Sequence, residues 1–173
     1  MNAATMKDTA KQSFEMYKSA FESAFRYQEK LSKGVEVFAN LDYDDINKTP
    51  KDLVFQIDKM KLYHYRPLVK NPLAVPVMIT YALMNKQYIM DIQQDKSFVK
   101  RLLELGLDLY IVDWGYPTAE DMYVTMEEYI EDYMGAAVDF IRQDRNVPQI
   151  NLLGKCQGGT FSAIYASLHP EKV

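Results

Sequence analysis

Cysteine and histidine are nearly absent from this chain: of 173 residues one is cysteine and two are histidine. A single thiol cannot close an intramolecular disulfide, so packing alone must hold the fold, and a lone free thiol fits a reducing compartment better than a secreted one. Cys156 therefore has to be explained as packing, as a ligand or as a reagent. Long runs of either kind are also missing. The net charge of -4 includes no extended basic stretch, which removes the electrostatic footprint that nucleic-acid binding requires. Residues 1–24 mix Lys, Asp and Glu with isolated apolar residues, unlike the continuous apolar core of a signal peptide or membrane span, so a cytoplasmic protein is expected. No internal repeat or low-complexity segment occurs. What remains is an ordinary globular composition, 48% hydrophobic and 25% charged, long enough for one domain with a sizeable core.

Periodicity divides the chain. From Lys7 to Ala39, Phe14, Tyr17, Phe21, Ala24, Phe25, Leu31, Val35 and Phe38 recur at three- and four-residue steps between charges, the pattern of an amphipathic helix or helix pair. Leu41 to Pro50, rich in Asp and Asn, reads as a linker. The expected division is a helical appendage over residues 1–48 and the main fold over 49–173. Leu53–Gln56 and Lys61–Tyr65 then alternate around Asp58 and Lys59 as paired strands joined by a tight turn. Val75–Tyr81, Leu107–Val112 and Ile150–Leu153 are short apolar runs of the kind covered on both faces in a parallel sheet.

Helices are expected between these runs. Ser97–Leu105 has helical spacing and stops at Gly106, a residue suited to a left-handed cap. Thr125 and Glu128 form a capping box ahead of a stripe of Met126, Tyr129, Ile130, Tyr133, Ala137 and Ile141 that continues to about Arg145. Phe161–Leu168 is the last helix, ending at His169-Pro170. Strand and helix in alternation predict an α/β fold with a mainly parallel, doubly wound sheet.

The segment Ile150-Asn151-Leu152-Leu153-Gly154-Lys155-Cys156-Gln157-Gly158-Gly159 places G-x-C-x-G between a strand and a helix. This is the grammar of a nucleophile elbow with cysteine in place of serine. Residues two before and two after the nucleophile must lack bulk there, which Gly154 and Gly158 satisfy, and Gly159 permits close packing of helix on strand. Cys156 would then stand at a helix N-terminus, whose unpaired amides and dipole favour a thiolate. The backbone N–H of Gln157 would be one oxyanion donor, and a second is expected from the loop after the first buried strand, at Leu83 or Met84. A lone buried cysteine is usually inert, and a glycine-rich turn can cradle phosphate. The paired glycines weigh against the first reading, and the absence of G-K-[ST] or G-x-G-x-x-G against the second.

A base for this chemistry is not evident. His169 lies at the far end of the helix that Cys156 begins, roughly 20 Å away at about 1.5 Å per residue. His64 belongs to the early strand pair and reads as a packing histidine. Asp113 precedes the nucleophile, whereas hydrolase order puts the acid after it, so it reads as a residue that holds its own turn. The expectation is that acid and base lie outside this chain. An apolar sheet edge beside Ile150–Leu153 would then leave the isolated 173 residues prone to aggregation or partial folding.

Taken together, Thr49-Pro50-Lys51, Lys61-Leu62-Tyr63, Tyr81-Ala82-Leu83-Met84-Asn85-Lys86, Asp113-Trp114-Gly115-Tyr116-Pro117 and Asn151 to Gly159 resemble the blocks of class III polyhydroxyalkanoate synthases, from about Thr49 to Val173. The resemblance implies the α/β-hydrolase fold, here its N-terminal half, and polymerisation of (R)-3-hydroxyacyl-CoA, chiefly short units such as 3-hydroxybutyryl-CoA. Cys156 would be the acylated nucleophile and CoA the leaving group, with no cofactor and no metal. It also implies an E-type companion subunit, association with the polymer granule and room for a homodimer. The related class IV enzymes, which pair with an R-type subunit, more often carry methionine at the position of Gln157. Two rivals stand beside this reading: a cysteine hydrolase of dienelactone hydrolase or thioesterase type, and a non-catalytic fragment that binds the granule or a subunit.

Overall fold

The protein is described by a computed structural model, which covers residues 15–16, 18, 21–23, 26–30, 32–34, 46–84 and 86–173. It divides into two compact units, Met1–Tyr43 and Asp44–Val173. In the first unit every described residue is helical, and Lys33 bonds Glu29 one turn earlier. Phe21 is helical and exposed. Phe14, Tyr17, Ala24, Phe25, Leu31, Val35 and Phe38 lie outside the described residues.

The second unit is built on a five-stranded sheet. Its strands are β1 (Lys51–Ile57), β2 (Met60–Tyr65), β3 (Val77–Thr80), β4 (Leu109–Asp113) and β5 (Asn151–Gly154), in the order β1-β2-β4-β3-β5. β1 and β2 form the expected hairpin, with Asp58 at φ 49° in its turn and an irregular register between Leu53 and Phe55. β2 runs against β4, while β3 is parallel to both β4 and β5. Four strands therefore share one direction and β2 alone opposes it. β3 lies between β4 and β5, and all four of its residues are buried. Met78 and Ile79 at 0% exposure contribute about 1.5–3 kcal/mol each through removal of apolar surface from water.

Helices fill the crossovers. α1 (Phe98–Glu104) joins β3 to β4; Ser97 caps it by accepting the Lys100 N–H, and Gly106 follows at φ 86°. α2 (Gly135–Arg145) joins β4 to β5, and α3 (Gln157–Leu168) follows β5. One crossover steps from β3 toward β2 and the other steps back across β3 to β5. Right-handed connections in opposite directions place their helices on opposite faces of the sheet.

Three features differ from or sharpen the sequence expectation. The stripe ahead of α2 is not regular α-helix, because Glu128–Met134 forms a π-helical segment. The last helix begins at Gln157, four residues ahead of the apolar stretch at Phe161 and directly after the cysteine, where the elbow reading requires it. Two short 3₁₀ turns, Gln87–Met90 and Ala119–Tyr123, occupy stretches in which no element was expected. The segment before β1 is also tied down: the Thr49 N–H and hydroxyl both donate to the buried Asp91 carboxylate, and the Asn47 N–H donates to the Asp91 carbonyl.

Candidate active site

β5 ends at Gly154, α3 begins at Gln157, and the two residues between them reverse the chain. Cys156 is the N-cap of α3 with φ 55° and ψ −128°, a left-handed conformation that costs a non-glycine residue about 1–3 kcal/mol. Its surroundings leave no alternative path. A Cβ on Gly154 would stand 2.4 Å from Gly159 Cα, and a Cβ on Gly158 would stand 2.4 Å from the Thr80 carbonyl oxygen. Gly159 is less constrained, since its own Cβ would meet nothing nearer than 3.4 Å; what the bend needs at 159 is the approach of its Cα to Gly154. Held this way, Cys156 is exposed, at the end of the sheet where β3, β4 and β5 terminate.

Thr80 anchors the bend from the neighbouring strand. Its carbonyl accepts the Lys155 N–H at 2.9 Å. Its hydroxyl donates to the Gly158 carbonyl at 3.1 Å and lies 2.7 Å from the Ser162 hydroxyl. Neither Thr80 nor Ser162 stood out in the sequence. In the structure Thr80 is the last residue of β3 and the one polar residue in it.

The loop after β3 lies beside the elbow. The Leu83 N–H donates to Gln157 Oε1 at 3.2 Å, so the structure brings together two of the residues expected to build an oxyanion site. Met84 is 90% exposed. Upstream, the Trp114 indole N–H donates to the Tyr81 carbonyl at 2.9 Å, and the Trp114 ring meets Phe161 and Tyr129 edge-on. Downstream, the Lys86 ammonium sits 3.4 Å from the centre of the Tyr116 ring. A cavity of about 540 Å³ adjoins this loop, lined by Leu83, Met84, Ile89, Ile92, Tyr116 and Lys86 among others.

The remaining candidates stand apart from the thiol. His64 pairs with Tyr110 across β2 and β4, near the end of β4 opposite Asp113, and so lies toward the far edge of the sheet from the elbow. Its Nε2 is 2.7 Å from the buried Asp108 carboxylate, and its ring stacks on Tyr110 at 4.2 Å. His169 caps the C-terminus of α3, twelve residues of helix from Cys156, and its Nε2 bonds Glu131 at 2.8 Å. Asp113 is at the correct edge of the sheet, but its carboxylate accepts the Gly115 N–H at 3.1 Å and the Tyr81 hydroxyl at 3.3 Å. Burial, reinforced by the Asp113 carboxylate, holds the Tyr81 phenol well above the ordinary tyrosine range. Among the described residues no group of three or more His, Cys, Asp or Glu is arranged to hold a metal ion, and no helix is long and apolar enough to cross a membrane.

This architecture, a mixed sheet in which β2 opposes its neighbours and a strained residue sits between a parallel strand and the next helix, agrees with comparison against known families. The family described as alpha/beta hydrolase fold matches residues 75–173, and the chain belongs to it. Residues 43–102 match the family described as Poly-beta-hydroxybutyrate polymerase (PhaC) N-terminus. Curated proteins similar to this chain include several named poly(3-hydroxyalkanoate) polymerase subunit PhaC. The protein of that name from Synechocystis sp. is 49% identical over 149 residues, 85% of this chain and 39% of the relative. That from Thiocystis violacea is 45% identical over 148 residues, 85% of this chain and 42% of the relative. The chain thus spans about two fifths of the length of these relatives. Among solved structures, a probable hydrolytic enzyme from Pseudomonas aeruginosa superposes with a TM-score of 0.54 at 14% identity, over 78% of this chain and 41% of that one. That likeness concerns the fold alone.

Proposed function

We propose that Cys156 is the acylated nucleophile of a polymerase that joins (R)-3-hydroxyacyl units, short ones such as 3-hydroxybutyryl, from their CoA thioesters. The observation that carries this reading is the backbone of Cys156, an exposed thiol at φ 55° on the bend between β5 and α3. In the reaction the Cys156 sulfur attacks the thioester carbon and the carbonyl electron pair moves to oxygen. Return of that pair breaks the bond to the CoA sulfur, which leaves as CoA thiol with the proton lost from Cys156. The hydroxyl of a second unit then attacks the acyl-enzyme, forming an ester and returning a proton to the cysteine sulfur.

Exchange of one thioester for another is nearly balanced in energy and keeps the acyl group activated for the hydroxyl. An oxyanion built up in a water-poor site gains most from fixed amide donors, and the Gln157 and Leu83 amides are assigned this role, with Met84 as the alternative second donor. The base and its orienting carboxylate are assigned to parts of the full-length protein outside these 173 residues, because His64 and His169 are engaged elsewhere. CoA enters only as leaving group, and no cofactor is invoked. An E-type companion subunit, self-association and attachment to a cytoplasmic polymer granule belong to the same proposal.

Incubation of the full-length protein with 3-hydroxybutyryl-CoA tests it. Insoluble polyester with one CoA released per unit supports the polymerase. Stoichiometric free 3-hydroxybutyrate replaces it with a hydrolase of the same fold, and no turnover together with unaltered granule binding replaces it with a non-catalytic role.

A further inference from the structure

We propose that the side chain of Gln157 is a positioning residue for the oxyanion site: its carboxamide oxygen holds the Leu83 N–H at the elbow and yields it when an oxyanion forms. The inference rests on the acyl-transfer reading above and adds a role for a side chain that the elbow pattern leaves free to vary.

Gln157 has a fixed base from which to reach. It is the first residue of α3, and the chain is bound to Thr80 two residues before it and one residue after it: Lys155 through its N–H at 2.9 Å and Gly158 through its carbonyl at 3.1 Å. Leu83 packs its half-buried side chain on the core, but among the described residues no backbone–backbone hydrogen bond fixes its amide. It lies in a turn whose next residue, Met84, is 90% exposed. The nearest anchors are the Trp114 bond to the Tyr81 carbonyl upstream and the seat of Lys86 on Tyr116 downstream. Between them, among the described residues, the Gln157 carboxamide is the hydrogen-bond partner that ties the Leu83 amide to the elbow and sets its direction there.

The bond is also suited to being given up. At 3.2 Å it is at the long end for an N–H···O contact, and its acceptor is neutral. An oxyanion accepts a shorter and roughly twofold stronger bond, so it displaces the carboxamide oxygen from an N–H that is already in place. A leucine at 157 keeps the bulk and loses the acceptor, whereas an asparagine keeps the carboxamide and loses the reach.

Q157L and Q157N in the full-length protein test this by comparing two reactions of the same sulfur. Acylation by 3-hydroxybutyryl-CoA builds an oxyanion; alkylation by iodoacetamide displaces iodide at a saturated carbon and builds none. Both variants are expected to acylate about tenfold more slowly or worse, a part of the 10²–10³ lost when such a donor is removed outright, with KM within about threefold of wild type. Alkylation is expected to stay within about twofold. Wild-type acylation rates in Q157L overturn the proposal, as does a parallel fall in both reactions, which would mark a merely structural residue. If wild-type protein takes no acyl group onto Cys156, the functional reading fails by itself. Hydrogen exchange at the Leu83 amide then decides the latch separately: faster exchange in Q157L supports it, and unchanged exchange overturns it.

Discussion

Gly158 and Thr80 meet so closely that no side chain fits between them: a Cβ on Gly158 would lie 2.4 Å from the Thr80 carbonyl oxygen and 2.5 Å from the Thr80 carbonyl carbon. The obstruction is backbone of a central strand, which cannot turn aside as a flexible side chain would. Gly158→Ala is therefore expected to cost about 2–4 kcal/mol in a thermal or urea melt of the full-length protein. Iodoacetamide labelling of Cys156 should slow with it, because the bend and the exposure of the thiol depend on the same contact. Gly159→Ala, with 3.4 Å of room, should be milder by more than half.

The left-handed φ of Cys156 sets stability against the proposed acyl transfer at one residue. Glycine adopts that conformation without strain, at the cost of greater freedom in the unfolded chain. Cys156→Gly is expected to raise the unfolding free energy by about 0.5–2 kcal/mol while abolishing acylation. Calorimetry beside an acylation assay checks both halves, and a destabilised Cys156→Gly would show that the backbone there is relaxed.

His64 is a second point at which structure and chemistry separate. Its ring bridges the buried Asp108 carboxylate, which also lies 2.9 Å from the Arg145 guanidinium, and stacks on Tyr110. Removing it leaves a buried charge with one partner fewer. His64→Ala is expected to lose about 1–3 kcal/mol of stability and to retain kcat within about twofold, since its ring contacts Asp108 and Tyr110 toward the far edge of the sheet from the elbow. A loss of kcat by orders of magnitude with normal stability would return His64 to the list of catalytic bases.

The capping box at Thr125 and Glu128 carries a pH signature. The Glu128 carboxylate accepts the Thr125 N–H at 2.6 Å and the Thr125 hydroxyl at 2.9 Å, and these bonds, the backbone one foremost, hold its pKa below the ordinary glutamate value. A carboxyl depressed in the folded state stabilises the fold at pH values above its unfolded pKa, and that contribution fades as acid protonates the folded form. Glu128→Gln should therefore lower the melting temperature at pH 7, and the difference from wild type should shrink toward zero as the pH drops below the glutamate range. A gap that stays constant with pH would assign the effect to side-chain packing instead.

How much of this was legible in the sequence follows from the range of each interaction. The hairpin, the three parallel strands and the elbow could be read because each is written within a few neighbouring residues: alternation around Asp58 and Lys59, unbroken apolar runs, and glycines two either side of Cys156. The third run, β5, lies at the edge of the sheet and is at most half-buried rather than covered on both faces. The capping boxes split on the same ground. Thr125 and Glu128 were found because an apolar stripe follows them, whereas Thr118 and Asp121 open only a single 3₁₀ turn and were missed. The π-helical segment escaped because Tyr129 and Tyr133 satisfy a four-residue step whether each turn is regular or one residue wider. Thr80 with Ser162, and Leu83 with Gln157, escaped for another reason. They are 82 and 74 residues apart in the chain, and only the placement of β3 beside β5 makes neighbours of them.

Trp114 turns this arrangement into its own spectroscopic probe. It is the one tryptophan in these 173 residues, and it is almost fully buried. Its indole touches the start of the Leu83 loop, the helix that Cys156 caps and the π-helical segment at once. Its fluorescence therefore originates where those three elements meet, and under the proposed acyl transfer an acyl group on the thiol is expected to shift the emission of a chromophore the fold already provides, without any label being attached.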